Sequence, residues 1–533
     1  MTKKGFWYSD LEQRAAAEGE IIVDAFAEHG IDIGGETDEA EDDRDVHRGG
    51  IAFMYDKDHI LTREQYLGGV GGMQGPQRPV EAGKLRGVLD VIQDRVSLVE
   101  VIRVVGNVVL ICLNPRRHKH IRDYGYGDEG GGEHADVLEL LRIIDVELGE
   151  GIATPDHVLT AAQSVRPCSA TEPEPPYPAA GLCPPVCRAG GARVRIYQAD
   201  TGLVAGAAQT FPWLAGVNGQ LDQRESGGTI LPYGGHGTFV AGVLRCMAPE
   251  AQIYVANIFN IAGSARETDV AMSLKAAFGF GFEILHITAS CLTWKNIPPF
   301  ALEEFLKLLR PFKGVLCVAE AGNNYTRRPA WPGAFPDVLS VGALATDWRH
   351  RADFSNYGAW VDVYAPGENL INAIGSGTYT YQIPPKSGTA TFSGLAQWSG
   401  TSFSAPIVTG LIAARMARCG ESAREAADAL MAEARAQTIP GVGPVLFPHC
   451  GDDDDRRCGG CGRCGDDCGC GRRGYCGGDN DRCCGRCGDD CGCGHRGGGH
   501  CRGGGHHWGH GGGRDPLRSV TSRLARLITD VTG

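Results

Sequence analysis

The sequence has little of what a membrane protein or a secreted precursor needs. Its longest apolar region, residues 99–113, is interrupted by Glu100, Arg103 and Asn107, so we expect no membrane-spanning helix. The first ten residues include two lysines, but no apolar run follows them, and a signal peptide would need one. We therefore expect a cytoplasmic protein, with export by a leaderless route as the alternative.

An excess of positive charge is also missing. The chain has 51 Lys and Arg against 64 Asp and Glu, a formal net charge of −13 at pH 7. This balance argues against a general nucleic-acid-binding protein. Apolar residues make up 42% of the 533 residues, which is enough for a sizeable core, and the length suits about three domains.

Changes in composition divide the chain into six segments. Acidic residues dominate the first segment, which we expect to be mobile, and proline is frequent in the third, which we expect to be extended and exposed. The predicted segments are an acidic N-terminal segment (1–48), a small α/β domain (49–162), a Pro-rich linker (163–190), a larger α/β domain (191–449), a Cys/Gly/His-rich tail (450–514) and an amphipathic helix (515–533).

The serine at position 402 lies in a pattern typical of a nucleophile at the start of a helix. In the run SGTSFSAP (399–406), Gly400 permits a tight turn, and residues 407–415 are typical of a buried helix. Helix N-termini present unpaired N–H groups that can receive a developing oxyanion. The alternative is a serine that only caps the helix.

Three further polar residues follow predicted strands or precede predicted helices. Asp200 follows shortly after the predicted strand 194–198, and His236 lies in GHGTFVAG, at a turn that leads into a helix. Asn323 lies in EAGNN, after the apolar strand 314–319. Each residue alone would be interpreted as a turn or loop residue, so only their combination with Ser402 is informative.

In this order and with these flanking residues, the region of about 190–420 resembles the subtilisin-like serine peptidases, or subtilases. The segments 332–343 (PGAFPDVLSVGA), 354–358 (FSNYG) and 361–367 (VDVYAPG) are also similar to segments of that family. The resemblance implies a subtilisin-like α/β fold with a doubly wound parallel sheet, which agrees with the alternation of predicted strands and helices.

The resemblance also implies a serine endopeptidase that cuts protein or peptide substrates through an acyl-enzyme. Ser402 would be the nucleophile, His236 the general base and then acid, and Asp200 the residue that orients the imidazole. Asn323 and the Ser402 backbone N–H would form the oxyanion hole. The chemistry requires no cofactor; calcium is common in the family, but the sequence places no site for it.

Two segments are expected to bind the substrate. One is Thr288, Ala289 and Ser290, where the family usually has Ser-Leu-Gly; its backbone should still pair with an extended peptide. The other is Glu320, Ala321 and Gly322. The altered end of the first segment leaves the preference of the primary specificity pocket open.

The small N-terminal domain has the size and class of a subtilase prodomain. We expect it to inhibit the larger domain and to be removed by self-cleavage between about residues 160 and 190. The alternative is an accessory domain that is retained and has an unrelated function.

The tail after Cys450 has almost no apolar residues, so it cannot form a hydrophobic core. Its motif CGRCGDDCGCG occurs twice, from Cys461 and from Cys484. The Cys-x-x-Cys spacing suits zinc or another soft metal; disulfides and a flexible linker are the alternatives. The candidate ligands are Cys461, Cys464, Cys468, Cys470, Cys484, Cys487, Cys491 and Cys493.

The helix predicted at 515–533 has three possible roles: docking or oligomerisation, contact with an anionic membrane surface, or packing on the domain. The second hypothesis for the whole chain is a catalytically silent subtilase-fold binding protein with a metal- or partner-binding tail.

Overall fold

The computed structural model describes residues 4–37, 51–68, 86–96, 100–113, 136–161, 172–176, 194–384 and 386–448. The cysteines of the predicted metal site and the helix predicted at 515–533 lie outside these residues, so both remain predictions. No helix in the described ranges is long and apolar enough to cross a membrane.

The larger domain is built on a seven-stranded parallel sheet. The strands follow the order β15-β14-β13-β12-β6-β10-β7, and every pair in that order is parallel. Nearly every residue of the central strands is buried, as expected for a sheet covered on both faces. The strands are β6 (Arg195–Asp200), β7 (Asn218–Gly219), β10 (Gln252–Asn257), β12 (Ile284–Ile287), β13 (Leu316–Glu320), β14 (Val338–Leu344) and β15 (Val363–Pro366).

Helices cover both faces of this sheet, so the predicted doubly wound α/β fold is confirmed. Side chains of α5, α8 and α9 form one apolar core with one face, and those of α6 and α7 form a second core with the other. The helices are α4 (Ala207–Thr210), α5 (His236–Met247), α6 (Glu267–Gly279), α7 (Phe300–Leu309), α8 (Thr401–Cys419) and α9 (Ala423–Ala436).

A long antiparallel hairpin precedes α8. It consists of β16 (Leu370–Thr380) and β17 (Thr389–Trp398). The short strands β8 (Glu225–Ser226) and β9 (Thr229–Ile230) complete its sheet, because β9 pairs with β16. This hairpin occupies the stretch between Gly367 and Gly400.

The N-terminal domain has its own, mainly antiparallel sheet. Its strand order is β11-β5-β2-β4-β3, with β1 beside β2. The outermost strand, β11, comes from the larger domain, so the two domains share this sheet. The elements are α1 (Lys4–Ala27), β1 (Ile33–Thr37), β2 (Ile51–Arg63), α2 (Val88–Ile92), β3 (Glu100–Arg103), β4 (Val108–Cys112), α3 (Val137–Leu148), β5 (Ala153–Thr160) and β11 (Ser264–Arg266).

The prediction that residues 1–48 are mobile is wrong for residues 4–37, which form α1 and β1. Apolar side chains of α1, including Ile22 and Phe26, pack with Ile33, Met54 and Val158 into a separate small core. The prediction of mobility rested mainly on the acidic run at 36–43, which lies almost entirely beyond these residues.

Candidate active site

Three neighbouring strands of the parallel sheet deliver polar side chains to one edge. Strand β6 ends at Asp200, β13 ends at Glu320, and Thr288 directly follows β12, which lies between them. The carboxyl ends of parallel strands meet at the same edge, which is where open α/β sheets bind ligands. The fold therefore brings together residues that are far apart in the sequence.

Asp200 and His236 form a buried pair. The carboxylate Oδ1 lies 2.8 Å from His236 Nδ1, and both side chains are inaccessible to solvent. Asp200 also accepts hydrogen bonds from Thr288 Oγ1 at 2.7 Å, Gln198 Nε2 at 3.0 Å and the Thr201 N–H at 2.7 Å. Burial alone would raise the pKa of Asp200, but His236 and these donors outweigh it and lower the pKa.

The imidazole of His236 is held in a single orientation. His236 is the first residue of α5, and Gly235 before it has φ 78°, a left-handed conformation that favours glycine. The rings of Phe403 and Trp398 pack against the imidazole, with centroids 5.3 and 5.4 Å away. Among the described residues, His236 Nε2 has no hydrogen-bond partner, so this nitrogen is available to take a proton.

A buried ion pair fixes the turn before His236. Asp222 accepts the Gly235 N–H at 2.8 Å and binds the guanidinium of Arg224 at 3.1 Å. Arg224 is 1% exposed and also donates to the carbonyls of Thr201 (3.0 Å) and Phe259 (2.5 Å). The charge of Asp222 is thus compensated inside the protein.

Arg224→Met should lower the free energy of unfolding by about 3–5 kcal/mol, because it leaves the buried Asp222 carboxylate without its cation. Chemical denaturation followed by circular dichroism measures the change. The double variant Arg224→Met with Asp222→Asn should recover part of the loss. A loss below about 1 kcal/mol in the single variant would show that the pair adds little.

Ser402 is the second residue of α8 and is 1% exposed. Its hydroxyl contacts the carboxylate of Glu320, and it donates to the Ala161 carbonyl oxygen at 2.8 Å. The bond to Ala161 reaches 241 positions back along the chain, to the end of the N-terminal domain. A segment of this chain therefore lies against the proposed nucleophile.

Asn323 lies beside the start of α8. Its Oδ1 accepts from the Thr401 N–H and the Thr401 hydroxyl, both at 2.9 Å. These bonds orient the amide. Its Nδ2 has no hydrogen-bond partner among the described residues. A buried N–H₂ group without an acceptor is costly in a resting protein, but it is suited to a negative charge that develops during a reaction.

The predicted cleft segment 288–290 pairs with the end of strand β5. Thr160 exchanges both backbone hydrogen bonds with Ser290, at 3.0 and 3.1 Å. On its other side β5 pairs antiparallel with β11, and the Ala161 N–H donates to the Gly263 carbonyl at 2.9 Å. The end of β5 thus lies as a central strand between two segments of the larger domain, as an added peptide strand would.

The predicted binding residues Glu320, Ala321 and Gly322 form the wall opposite Ser290. All of Glu320 and Ala321 is buried, and burial raises the pKa of Glu320 to about 7, although hydrogen bonds from Ser402 and Ser290 oppose the shift. Gly322 has φ 89°, and a Cβ there would lie 2.6 Å from Asn356 Nδ2. The wall is therefore tightly packed.

Two site residues were not predicted from the sequence. Gln198 orients Asp200 from the same strand and also donates to the Gly237 carbonyl at 2.8 Å. Its position two residues before Asp200 on a strand, which gives both side chains the same face, could have indicated it. Ala161 gave no such signal, because an alanine carries no reactive group and its role depends on tertiary contacts.

The described part of the linker, residues 172–176, is less exposed than predicted. Glu172 is 2% exposed, and its carboxylate accepts from Tyr379 Oη at 3.1 Å and from the Gln382 N–H at 2.8 Å. Glu174 exchanges backbone hydrogen bonds with Gln397 at 2.8 and 2.9 Å. Residues 172–176 therefore bind to the β16–β17 hairpin through both glutamates.

In the described ranges, no three His, Cys, Asp or Glu side chains are grouped so that they could hold a metal ion. Calcium binding by the larger domain therefore remains an expectation to which we can assign no residues.

Comparison with known proteins identifies the family. Residues 199–446 match the model of the subtilase family. This segment is a subtilase domain. Of the site residues, Asp200, His236, Asn323 and Ser402 all lie inside the matched range, so the predicted resemblance is confirmed.

Curated relatives of the subtilase domain are named as serine proteinases. The chain is 31% identical over 222 residues to the thermophilic serine proteinase of Bacillus sp. (strain AK1), covering 39% of this chain and 48% of that protein. It is 28% identical over 236 residues to the intracellular serine protease of Paenibacillus polymyxa, covering 42% and 66%. The chain thus spans only about half to two thirds of these relatives.

Among solved structures, the patellamide maturation protease PatA is 28% identical, with a TM-score of 0.35. The match covers 46% of this chain and 87% of that one.

Proposed function

We propose that this protein is a serine endopeptidase that uses Asp200, His236 and Ser402 as its catalytic triad. The observation that carries the proposal is the end of strand β5, which lies in the cleft as a substrate would, with its Ala161 carbonyl against the Ser402 hydroxyl. The oriented His236 and the free Asn323 amide support the same chemistry.

In the first half-reaction, Ser402 Oγ attacks the carbonyl carbon of the scissile bond and His236 Nε2 takes the hydroxyl proton. Asp200 stabilises the imidazolium through the bond to Nδ1. Asn323 Nδ2 and the Ser402 N–H donate to the oxyanion. His236 then gives the proton to the leaving amine, the C–N bond breaks, and an acyl-enzyme remains.

Water completes the reaction. His236 takes a proton from the attacking water, and the new tetrahedral intermediate uses the same two oxyanion donors. Ser402 leaves with the proton that His236 returns, which releases the carboxylic acid product. Every proton in this sequence moves through His236, so no cofactor is needed for the chemistry.

We also propose that the N-terminal domain inhibits the subtilase domain in cis until the chain cuts itself. Asp156 accepts from the Thr268 hydroxyl at 2.6 Å, His157 contacts Glu267 at 3.0 Å, and Arg63 binds Glu303 at 2.6 Å. The first two contacts anchor β5 to α6, and the third anchors β2 to α7. Since Ser402 contacts the Ala161 carbonyl, we expect cleavage at the bond that follows Ala161 or at the next one.

The test is to purify the full chain and to determine the N-terminus and intact mass with time. We expect a new N-terminus at residue 162 or 163 and a released N-terminal domain. A fluorophosphonate probe should label Ser402 in the processed chain and react slowly with the unprocessed chain. Processing without Ser402 labelling would point to a contaminating protease. The absence of both processing and labelling would favour the silent binding protein.

A further inference from the structure

A buried carboxyl group lies beside the proposed nucleophile and has no part in the triad. Glu320 is fully buried. Its Oε1 accepts from Ser290 Oγ at 3.2 Å, and its Oε2 contacts the hydroxyls of Ser402 and, at 3.4 Å, Thr401. The carboxyl group therefore bridges the cleft segment on one side and the start of α8 on the other.

The position of this bridge matters for the substrate. Ala161, which offers its carbonyl to Ser402, directly follows Thr160, which pairs with Ser290. The residue at this position therefore lies next to the cleft segment and the start of α8, the two sides that Glu320 bridges. The cleft segment 288–290 and the opposite wall 320–322 are already close, because a Cβ at Gly322 would lie 2.8 Å from Ser290 Oγ. The side chain of Glu320 takes up space that remains between them, so a large substrate side chain would collide with it.

The chain's own sequence in the cleft agrees with a small pocket. In the sequence, Leu159-Thr160 is followed by Ala161 and Ala162, so both residues next to the expected cleavage point are alanines. Each of these residues has only a methyl group as its side chain.

We propose that Glu320 determines substrate specificity by restricting the residue before the scissile bond to small side chains: glycine, alanine or serine. This inference rests on the proposed peptidase function and deepens it. The predicted departure from the family pattern in the cleft segment belongs to the same feature, because Ser290 supplies one of the hydroxyls that hold Glu320 in place.

The alternative hypothesis is that the carboxylate of Glu320 attracts a basic side chain of the substrate. In the described residues, no lysine or arginine forms an ion pair with Glu320; its contacts are hydroxyl groups. Hydroxyl groups contact both carboxyl oxygens, so a cationic substrate side chain would have to displace these contacts. We therefore favour selection by size, and make selection by charge an outcome of the test.

The experiment compares the processed wild type with Glu320→Gln and Glu320→Ala on peptides that differ only in the residue before the cleaved bond: Ala, Leu, Phe or Arg. We expect the wild type and Glu320→Gln, which has the same volume, to prefer Ala. Glu320→Ala should raise kcat/KM for Leu and Phe relative to Ala by about tenfold or more, because the pocket deepens.

The ratio of two kcat/KM values within one variant does not depend on the fraction of active enzyme, so partial misfolding does not blur the result. If Glu320→Ala does not fold, Glu320→Ser gives the same readout. An unchanged Leu/Ala ratio in the shortened variant would overturn the proposal, as would a wild-type preference for Arg that Glu320→Gln removes. If the wild type cleaves none of the peptides and no protein substrate, the proposed function itself fails.

Discussion

Ser402→Ala should lower peptide hydrolysis by about six orders of magnitude, as loss of the nucleophile does in subtilisin. The reason is that the variant has no hydroxyl at this position, which is the one that contacts the Ala161 carbonyl at the start of α8. The fold should persist, because the substitution removes one buried oxygen and leaves Glu320 its bonds from Ser290 and Thr401. Turnover of a fluorogenic peptide measures the first effect and thermal unfolding the second.

Self-cleavage gives this prediction a second readout. The Ser402→Ala chain should keep its full mass under conditions in which the wild type loses the N-terminal domain. If Ser402→Ala is cut at the same bond and rate as the wild type, another protease does the cutting. If the wild type and Ser402→Ala both keep their full-length mass, the proposal of self-processing is wrong.

Ser404→Ala is the matched control. Ser404 lies one half-turn further along α8, is fully buried, and has a hydroxyl without a partner among the described residues. Its removal deletes the same oxygen from the same helix, so hydrolysis should stay within about threefold of the wild type. Comparable losses in both variants would mean that disturbance of α8, and not loss of the nucleophile, explains the Ser402→Ala result.

Sequence patterns predicted the parallel sheet, and they singled out the four polar residues of the candidate site, because both depend on local chemistry. The strand β13 is a buried apolar run, and α5 starts at a Gly-His pair with the turn that glycine favours. Residues such as Asp200 and His236 stand at element ends, where a short stretch of sequence is enough to indicate an unusual side chain.

The contacts between distant segments could not be predicted in this way. The burial of Glu172 depends on donors from Tyr379 and Gln382, which lie more than two hundred positions away. Likewise, the sequence around Ala161 indicates a strand, but not that its end lies against Ser402. Such contacts depend on how the two domains meet, and no periodicity or motif within either segment records that.

Glu320 shows a third case, in which the residue was predicted but its role was not. The sequence places it among the binding residues because it precedes Ala-Gly-Asn. Its contact with the nucleophile depends on how the fold brings Ser402 to the end of β13, and the rise of its pKa to about 7 depends on its burial.

Asp200→Asn should lower kcat by about four orders of magnitude. The carboxylate oxygens face four donors: His236 Nδ1 and the Thr201 N–H on one oxygen, Thr288 Oγ1 and Gln198 Nε2 on the other. An amide must direct its N–H₂ group at one of these pairs. The variant therefore loses the charge that stabilises the imidazolium. In addition, the N–H₂ group of the new asparagine faces two hydrogen-bond donors and has no acceptor there.

The pKa of Asp200 helps to separate these effects. Because that pKa lies below the ordinary value, the native carboxylate is ionised at neutral and mildly acidic pH, and the stability that its ionised form contributes is lost only as pH falls through the lowered pKa. Between pH 6 and 8, roughly, the wild type should therefore show no change in activity from Asp200 itself, and the deficit of Asp200→Asn should be nearly constant over that range.

Thr288→Val is the informative control, since it keeps the charge of Asp200 and removes one of the four donors. If charge dominates, this variant should lose about tenfold or less. If orientation of the carboxylate dominates, its loss should approach that of Asp200→Asn. An Asp200→Asn protein that keeps more than about a tenth of wild-type kcat would contradict the triad, because a His236 without its buried anion could not then be the base that the mechanism requires.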